Sequence, residues 1–352
     1  MTQGKHKGLR NPRLSVDYFP LISIIIPVFN TESYLPACLN SILNQRFHDI
    51  EIVLVDDGST DGSGELCEEY SLIDPRIVCI HQENKGVSAA RNCGLDKAHG
   101  MYIWFCDSDD TLVDGSLEAI AASIRDESPL MVVFPVDQVN DDGERIGYIP
   151  APKVSADINE GPLQLGDRLY PVSRVFQRAI ALDERFDTSL SLLEDRDFAY
   201  RVTWRAAGRI AVIDKPLYRY LITRCDSAVN GSSVERYCDA VRVQENILLN
   251  EERLGHVMPA FEQFCSFAIK TYSMLMCSDI ERKRAIHLRN TLIKYGHYSK
   301  LLGMGLRVKF LLIRYCPVLF SVLARLHHLN AGVDDLGSTV IEESSTCKRF
   351  RQ

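Results

Sequence analysis

The sequence predicts an α/β fold, a mostly parallel sheet with helices on both faces, followed by a helical carboxyl-terminal appendage. Three observations carry this reading. Between Leu21 and Phe134, short runs rich in Ile and Val alternate with helical stretches. Most of these runs are apolar at nearly every position, which marks strands buried on both faces and needing crossover helices to cover them. Several runs end in polar or acidic residues, and in an open parallel sheet ligands bind at the carboxyl ends of the strands.

The elements follow in order. Ile22–Val28 reads as the first strand, ending in Pro27-Val28-Phe29-Asn30, with a helix over Ser33–Asn44. Ile50–Val55 is the second and delivers Asp56-Asp57-Gly58-Ser59-Thr60-Asp61, followed by a helix over Gly64–Ser71. Ile77–His81 and Met101–Cys106 are the third and fourth strands, with helices over Val87–His99 and Gly115–Arg125; the fourth ends in Asp107-Ser108-Asp109-Asp110. Met131–Val136 is the fifth. The Asn140–Gly143 turn, NDDG, predicts a hairpin joining Val132–Val139 to Arg145–Ile149. Residues 150–165 form a flexible excursion, Leu169–Asp183 and Leu192–Ala207 are helical or mixed, Val212–Tyr220 is a strand, and the chain is mostly helical from Glu235. The expected organisation is a disordered segment over 1–20, a catalytic domain over 21–230 with halves at 21–125 and 126–230, a helical region over 231–335 and a flexible tail over 336–352.

The chain has 352 residues, 46% hydrophobic and 25% charged, enough to build a full core. Its net charge of −7 argues against nucleic acid as a partner. The eleven cysteines contain no C-x-x-C pair and read as reduced thiols of a cytosolic protein. The first twenty residues are polar and basic without an apolar centre, unlike a signal peptide. Cytoplasmic chemistry is therefore expected.

The chemistry sits in the loops. A lone Asp after a strand is usually a turn or a cap, but the carboxylates of Asp107, Asp109 and Asp110 repel one another unless a cation or strong donors lie among them. Asp107 and Asp109, two apart in an extended or turning segment, can point the same way and offer hard oxygen ligands to Mg²⁺ or Mn²⁺. A diphosphate leaving group needs such neutralisation. No Gly-x-x-x-x-Gly-Lys-Ser/Thr loop is present, which excludes a P-loop hydrolase, and no Gly-x-Gly-x-x-Gly follows the first strand, which disfavours a dinucleotide dehydrogenase.

In order, SIIIPVFNTESYLPACLNSILNQ, IEIVLVDDGSTDGS, NKGVSAARNCGL and GMYIWFCDSDD resemble the family 2 glycosyltransferases, which have the GT-A nucleotide-sugar fold. The resemblance covers residues 21–125 strongly and continues more weakly through FDTSLSLLEDRDFAYRV at 186–202. It implies that Pro27, Val28 and Phe29 cup the base and ribose, although Phe29 is equally readable as an aromatic capping the sheet. Asp57 would accept a hydrogen bond from a ring N–H such as that of uracil. Arg91 would lie near the base or the phosphates, or else be a helix-surface cation. The helix opening at Asn84-Lys85-Gly86 would help hold negative charge.

Asp107-Ser108-Asp109 matches the DXD motif. Asp109 is expected on the metal, Asp107 on ribose, the metal or a metal-bound water, Ser108 beside the nucleotide sugar, and Asp110 behind them or capping the next turn. Asp195 would be the general base and Glu194 its partner; alone, this pair would be the acidic start of a helix. The implied activity is metal-dependent, inverting transfer of a sugar, from a UDP-sugar above all, onto a glycan or lipid-linked acceptor in cell-surface polysaccharide or glycolipid synthesis. A non-catalytic nucleotide-sugar-binding or scaffold protein is the alternative, with a nucleotidyltransferase behind it. Tyr218-Arg219-Tyr220, with Arg224 and Ser227, is expected to close over diphosphate or acceptor.

Residues 300–330 reverse the global acidity, with Lys300, Arg307, Lys309, Arg314 and Arg325 and no acid. This basic, amphipathic stretch, broken at Pro317, fits either peripheral contact with the inner face of a membrane or packing on the protein or a second copy in a homo-oligomer.

Overall fold

The computed structural model describes residues 19–152, 169–206, 208–222, 233–276 and 281–330. The expected Arg224 and Ser227, the amino-terminal segment 1–18 and the tail lie outside the described residues.

The strands of the first half are β1 (Ile22–Val28), β2 (Ile50–Asp56), β3 (Ile77–His81), β4 (Tyr102–Phe105) and the short β5 (Thr111–Leu112). Between them run α1 (Leu35–Leu43), α2 (Ser63–Ile73) and α3 (Val87–Lys97), with α4 (Ser116–Glu127) after β5. The chain continues through β6 (Met131–Val133), β7 (Val136–Val139), β8 (Arg145–Ile149), β9 (Arg174–Gln177), α5 (Arg178–Leu182), α6 (Glu194–Arg205), β10 (Ile210–Val212) and β11 (Tyr218–Leu221). A seven-stranded sheet has the order β10-β6-β9-β4-β1-β2-β3, and a four-stranded sheet the order β5-β11-β7-β8. In the large sheet only β9 runs antiparallel to its neighbours.

Burial on both faces explains the continuous apolar runs. Ile24, Ile26 and Val28 of β1 pack with Leu35, Leu39 and Ile42 of α1, whose spacing makes one helical stripe. Ile25 points the other way, into a cluster with Val53, Val55, Ala90 and Phe105. Each such side chain contributes about 1.5–3 kcal/mol by leaving water. Gly94 lets α3 lie close on this face, because a Cβ there would meet Ile25 Cγ2 at 2.3 Å.

Two expected strands divide. Met131–Val136 ends at Val133 and resumes at Val136 in the second sheet, with Pro135 at the crossing. Val212–Tyr220 likewise splits into β10 and β11 across Asp214-Lys215-Pro216. Proline has no N–H for a ladder, so each break falls where the chain changes sheets. The NDDG hairpin is present, between β7 and β8.

Helices α7 (Val234–Arg253), α8 (Ala260–Met276), α9 (Arg282–Lys294), α10 (Met304–Tyr315) and α11 (Pro317–Asn330) build a third core around Phe261, Phe264, Leu292 and Phe310. Ala199 and Tyr200 of α6 belong to this same core, so the helical region packs on the α/β part. The Tyr200 hydroxyl donates to the fully buried Glu251 at 2.8 Å. On α10 and α11, Phe310 and Ile313 face inward while Met304, Val308, Tyr315, Val318 and Leu319 are exposed. No helix among the described residues is long and apolar enough to cross a membrane.

Candidate active site

The carboxyl ends of β1, β2 and β4 share one edge of the sheet, since β1 lies between the other two and parallel to both. The loops above them are laced together. Thr31 N–H donates to Ser63 Oγ at 2.8 Å, Thr60 N–H to Asn30 Oδ1 at 2.8 Å, and Thr31 Oγ1 to Ser108 Oγ at 3.0 Å. Ser108 is thus drawn to the first loop and is itself buried.

Phe29 stands 43% exposed at this edge. Pro27 and Val28, expected beside the base and ribose, end β1 at this same edge. Both are buried within β1, Val28 with no exposed surface, and the Val28 carbonyl is taken by Asp57 N–H at 2.8 Å. Asp57 is also buried, and its carboxylate accepts from Gln82 Nε2 at 2.6 Å and from the N–H groups of Lys85 and Gly86 at 2.8 Å each. It thereby fixes the amino end of α3, where Gly86 adopts φ +87°, a conformation that L side chains rarely take. With three donors on two oxygens, the carboxylate keeps room for about one more.

Arg91, on α3, is the centre of the arrangement. Its guanidinium is buried, donating through Nη2 to Asp107 Oδ1 at 2.9 Å and through Nη1 to Glu194 Oε1 at 3.2 Å. One planar fork therefore ties the loop after β4 to the start of α6, residues more than eighty positions apart in sequence. Burial opposes its charge, but the surrounding Asp107, Glu194 and Asp195 outweigh that and raise its pKa. The Arg91 guanidinium also lies 5.3 Å from the centre of the Phe186 ring. The reading of Arg91 as a surface cation is set aside.

Asp195 sits next to this bridge. Burial, followed by repulsion from Glu194, pushes its pKa to about 7 despite Arg91. Oδ1 accepts from the Arg196 N–H at 2.6 Å. The turn into α6 uses Leu193 at φ 63°, the left-handed region that a leucine seldom occupies. Backbone strain of about 1–3 kcal/mol therefore accompanies the placement of Glu194 and Asp195.

Asp107 and Asp109 are partly exposed, whereas Asp110 is buried. Of the two expectations for Asp110, a place behind the other acids and a cap on the next turn, the structure agrees with the first. Its Oδ2 accepts from the Tyr218 hydroxyl at 2.6 Å and its Oδ1 from Leu221 N–H at 2.8 Å, so it ties β11 to the acidic loop. Burial and then the charges of Asp109 and Asp107 raise its pKa far above the carboxylate range. The donor set at Asp107 and Asp109 is all hard oxygen on a partly exposed loop, and its mutual repulsion fits a divalent cation.

Sequence reasoning missed the supports. Tyr218 is fully buried, and besides holding Asp110 it accepts Asp107 N–H at 3.0 Å, so it lies beneath the acidic loop and does not close over a ligand. Asn92 exchanges two hydrogen bonds of 2.9 Å with the backbone of Phe186, clamping the segment before α6 to α3. Phe186 in turn stacks on Phe198 with ring centres 4.0 Å apart. The only signal for Asn92 was its place beside Arg91.

Comparison with known proteins agrees with this geometry. A family model described as "Glycosyl transferase family 2" matches residues 23–177. The putative glycosyltransferase EpsH of Bacillus subtilis is 32% identical over 252 residues, covering 66% of this chain and 72% of EpsH. The chondroitin synthase of Escherichia coli is 36% identical over 226 residues, covering 62% of this chain but 31% of that protein. Several other curated relatives are likewise spanned for less than two thirds of their length. In fold, the chain resembles the crystal structure of S. aureus TarS 1-349 in complex with UDP-GlcNAc, with a TM-score of 0.67 at 21% identity, covering 88% of this chain and 91% of that one. The TarS likeness shows the GT-A fold, and the match to EpsH with the family model shows that the chain belongs to glycosyltransferase family 2.

Proposed function

We propose that the protein transfers a sugar, with inversion, from a UDP-sugar to a hydroxyl of a growing cell-surface glycan or lipid-linked acceptor. The observation that carries this reading is the convergence of Asp107, Arg91, Glu194 and Asp195 through one buried guanidinium. A carboxyl whose pKa lies near 7 is suited to take a proton at neutral pH, so Asp195 removes it from the acceptor hydroxyl as the hydroxyl attacks the anomeric carbon. Glu194, held by Arg91, keeps that carboxylate in place and adds to its basicity. A divalent cation, Mg²⁺ or Mn²⁺, held by Asp109 and Asp107, would neutralise the departing diphosphate. The remaining acceptor site on Asp57 suits a single ring N–H, as in uracil, and Phe29 offers an exposed ring at the same edge. The UDP-GlcNAc of the TarS structure and the polysaccharide named for the chondroitin synthase support the donor and acceptor classes.

The exposed apolar side chains of α10 and α11, next to Lys300, Arg307 and Lys309, support peripheral contact of 300–330 with an anionic membrane, where a lipid-linked acceptor would lie. A non-catalytic binding protein has no use for a half-buried base held at a strained helix start. The test is donor turnover over a panel of UDP-, GDP- and dTDP-sugars with Mn²⁺ or Mg²⁺, with product anomer read by NMR. UDP-sugar turnover with inversion is expected, and Asp109→Ala should abolish metal-dependent UDP binding while leaving the circular dichroism spectrum unchanged. Undiminished UDP affinity in Asp109→Ala with Mn²⁺ would overturn the metal assignment, and a retained anomer the single displacement.

A further inference from the structure

A second cluster lies on the outer side of the sheet, and its composition differs from the donor site. Cys79 and His81 are two apart on β3, so both project from the same face of the strand, and Glu68 reaches them from α2. One ligand atom from each lies within 4.8 Å of the others. His81 Nε2 is 2.7 Å from Glu68 Oε1 and 3.5 Å from Cys79 Sγ. In a tetrahedral zinc site, with bonds of about 2.0–2.3 Å, ligand atoms stand about 3.2–3.7 Å apart. Shifts of about an ångström or less, in side chains that are partly exposed, would meet that geometry.

Two of the ligands are also oriented from behind. Asp56 Oδ2 lies 2.8 Å from His81 Nδ1, the carboxylate–imidazole arrangement that fixes a metal-bound histidine with Nε2 toward the ion. The buried Cys67 thiol donates a hydrogen bond to the Cys79 sulfur and so helps fix its direction. The side chains of His81 and Glu68 are 44% and 55% exposed, which leaves an entry path and a fourth position for water.

We propose that Glu68, Cys79 and His81 form a zinc-binding site, separate from the donor site and held in shape by Asp56 and Cys67. The sulfur–nitrogen–oxygen ligand set selects Zn²⁺ over Mg²⁺ and Mn²⁺, which prefer the all-oxygen pair Asp107 and Asp109. On binding, the ion replaces the proton that His81 Nε2 shares with Glu68. It joins β3 to α2 and, through Asp56, reaches the loop after β2, because Asp56 Oδ1 also accepts Ser59 N–H at 3.0 Å. Occupancy would therefore stiffen the segment that contacts the first-strand loop at the donor edge.

Co²⁺ is the spectroscopic probe. The full chain, stripped with EDTA and dialysed, is titrated with Co²⁺ and then with Zn²⁺. A thiolate-to-cobalt charge-transfer band in the near ultraviolet should saturate at one equivalent and disappear on adding Zn²⁺. Cys79→Ser should lose the band. His81→Gln should weaken Co²⁺ binding by more than tenfold, Asp56→Asn by about 10–100-fold, and Asp109→Ala should leave the band intact, since carboxylates give no such transition. Absence of the band in the wild-type chain would show an ion-pair cluster that takes no metal and would overturn the proposal. So would a band that survives Cys79→Ser, or unchanged affinity in His81→Gln, which also decides the matter if the serine variant fails to fold.

Discussion

Replacing Asp195 by Asn should stabilise the protein at alkaline pH while removing its activity. The carboxyl is raised from 3.8 to about 7 by burial and by Glu194. In the unfolded chain it ionises near pH 4, so between pH 4 and 7 the folded state holds a proton that the unfolded state has released. Stability contributed by the protonated group is complete below pH 4 and is lost as pH rises through 7. A shift of this size corresponds to about 4 kcal/mol as a ceiling, and screening at a half-buried residue cuts the expected effect to about 1–3 kcal/mol. Asn cannot ionise and escapes this cost. Its Tm should therefore match that of the wild type near pH 4 and exceed it by about 2–12 °C at pH 8, at about 2–4 °C per kcal/mol. Loss of the base should lower donor-to-acceptor turnover by about 10²–10⁴-fold. The assay is a thermal melt of both proteins across pH 4–8 beside steady-state kinetics, and wild-type kcat/KM should fall as pH drops below about 7. A variant less stable at pH 8, or more stable by the same amount at both ends of the range, would refute the picture of a base held against its own charge.

Two further outcomes follow from the same geometry. Tyr218→Phe removes the donor to Asp110 and the acceptor of Asp107 N–H, so it should cost about 1–3 kcal/mol of stability and weaken Mn²⁺-dependent UDP binding several-fold by calorimetry; unchanged values in both would show that Tyr218 does not position the acidic loop. Arg307→Glu with Lys309→Glu should abolish flotation with anionic vesicles, leave neutral vesicles unbound and spare turnover of soluble donor; equal flotation would reject the membrane face.

The first half of the fold was legible because buried parallel strands write themselves as unbroken apolar runs. Ile22–Val28 and Ile77–His81 have the expected bounds, and the helices between them differ only at their ends. The second half was less legible because β6, β7, β9, β10 and β11 are three to four residues long and change sheets at prolines. β9 hid among helical signals, since Arg174–Gln177 owes its strand geometry to ladders with β4 and β6, not to a pattern of its own. At the candidate site, acids at strand ends were visible one by one. Their partners were not, because Tyr218 meets Asp110 across 108 positions and Arg91 meets Glu194 across 103.

The supports explain why so much negative charge can gather at one sheet edge. Asp57 rests on the amino end of α3, where backbone N–H groups and the helix dipole favour an anion. Asp110 is withdrawn into the interior, where the Tyr218 hydroxyl and Leu221 N–H donate to its two oxygens. Glu194 and Asp107 share Arg91, a cation that burial cannot deprotonate while both are near. Asp109 and Asp195 are then the acids on which the proposed chemistry rests, one toward a metal and one toward a proton. Each task needs a carboxylate held in a fixed position. The network positions them through their neighbours. For that reason a change at a supporting residue should weaken the chemistry without touching a reacting atom.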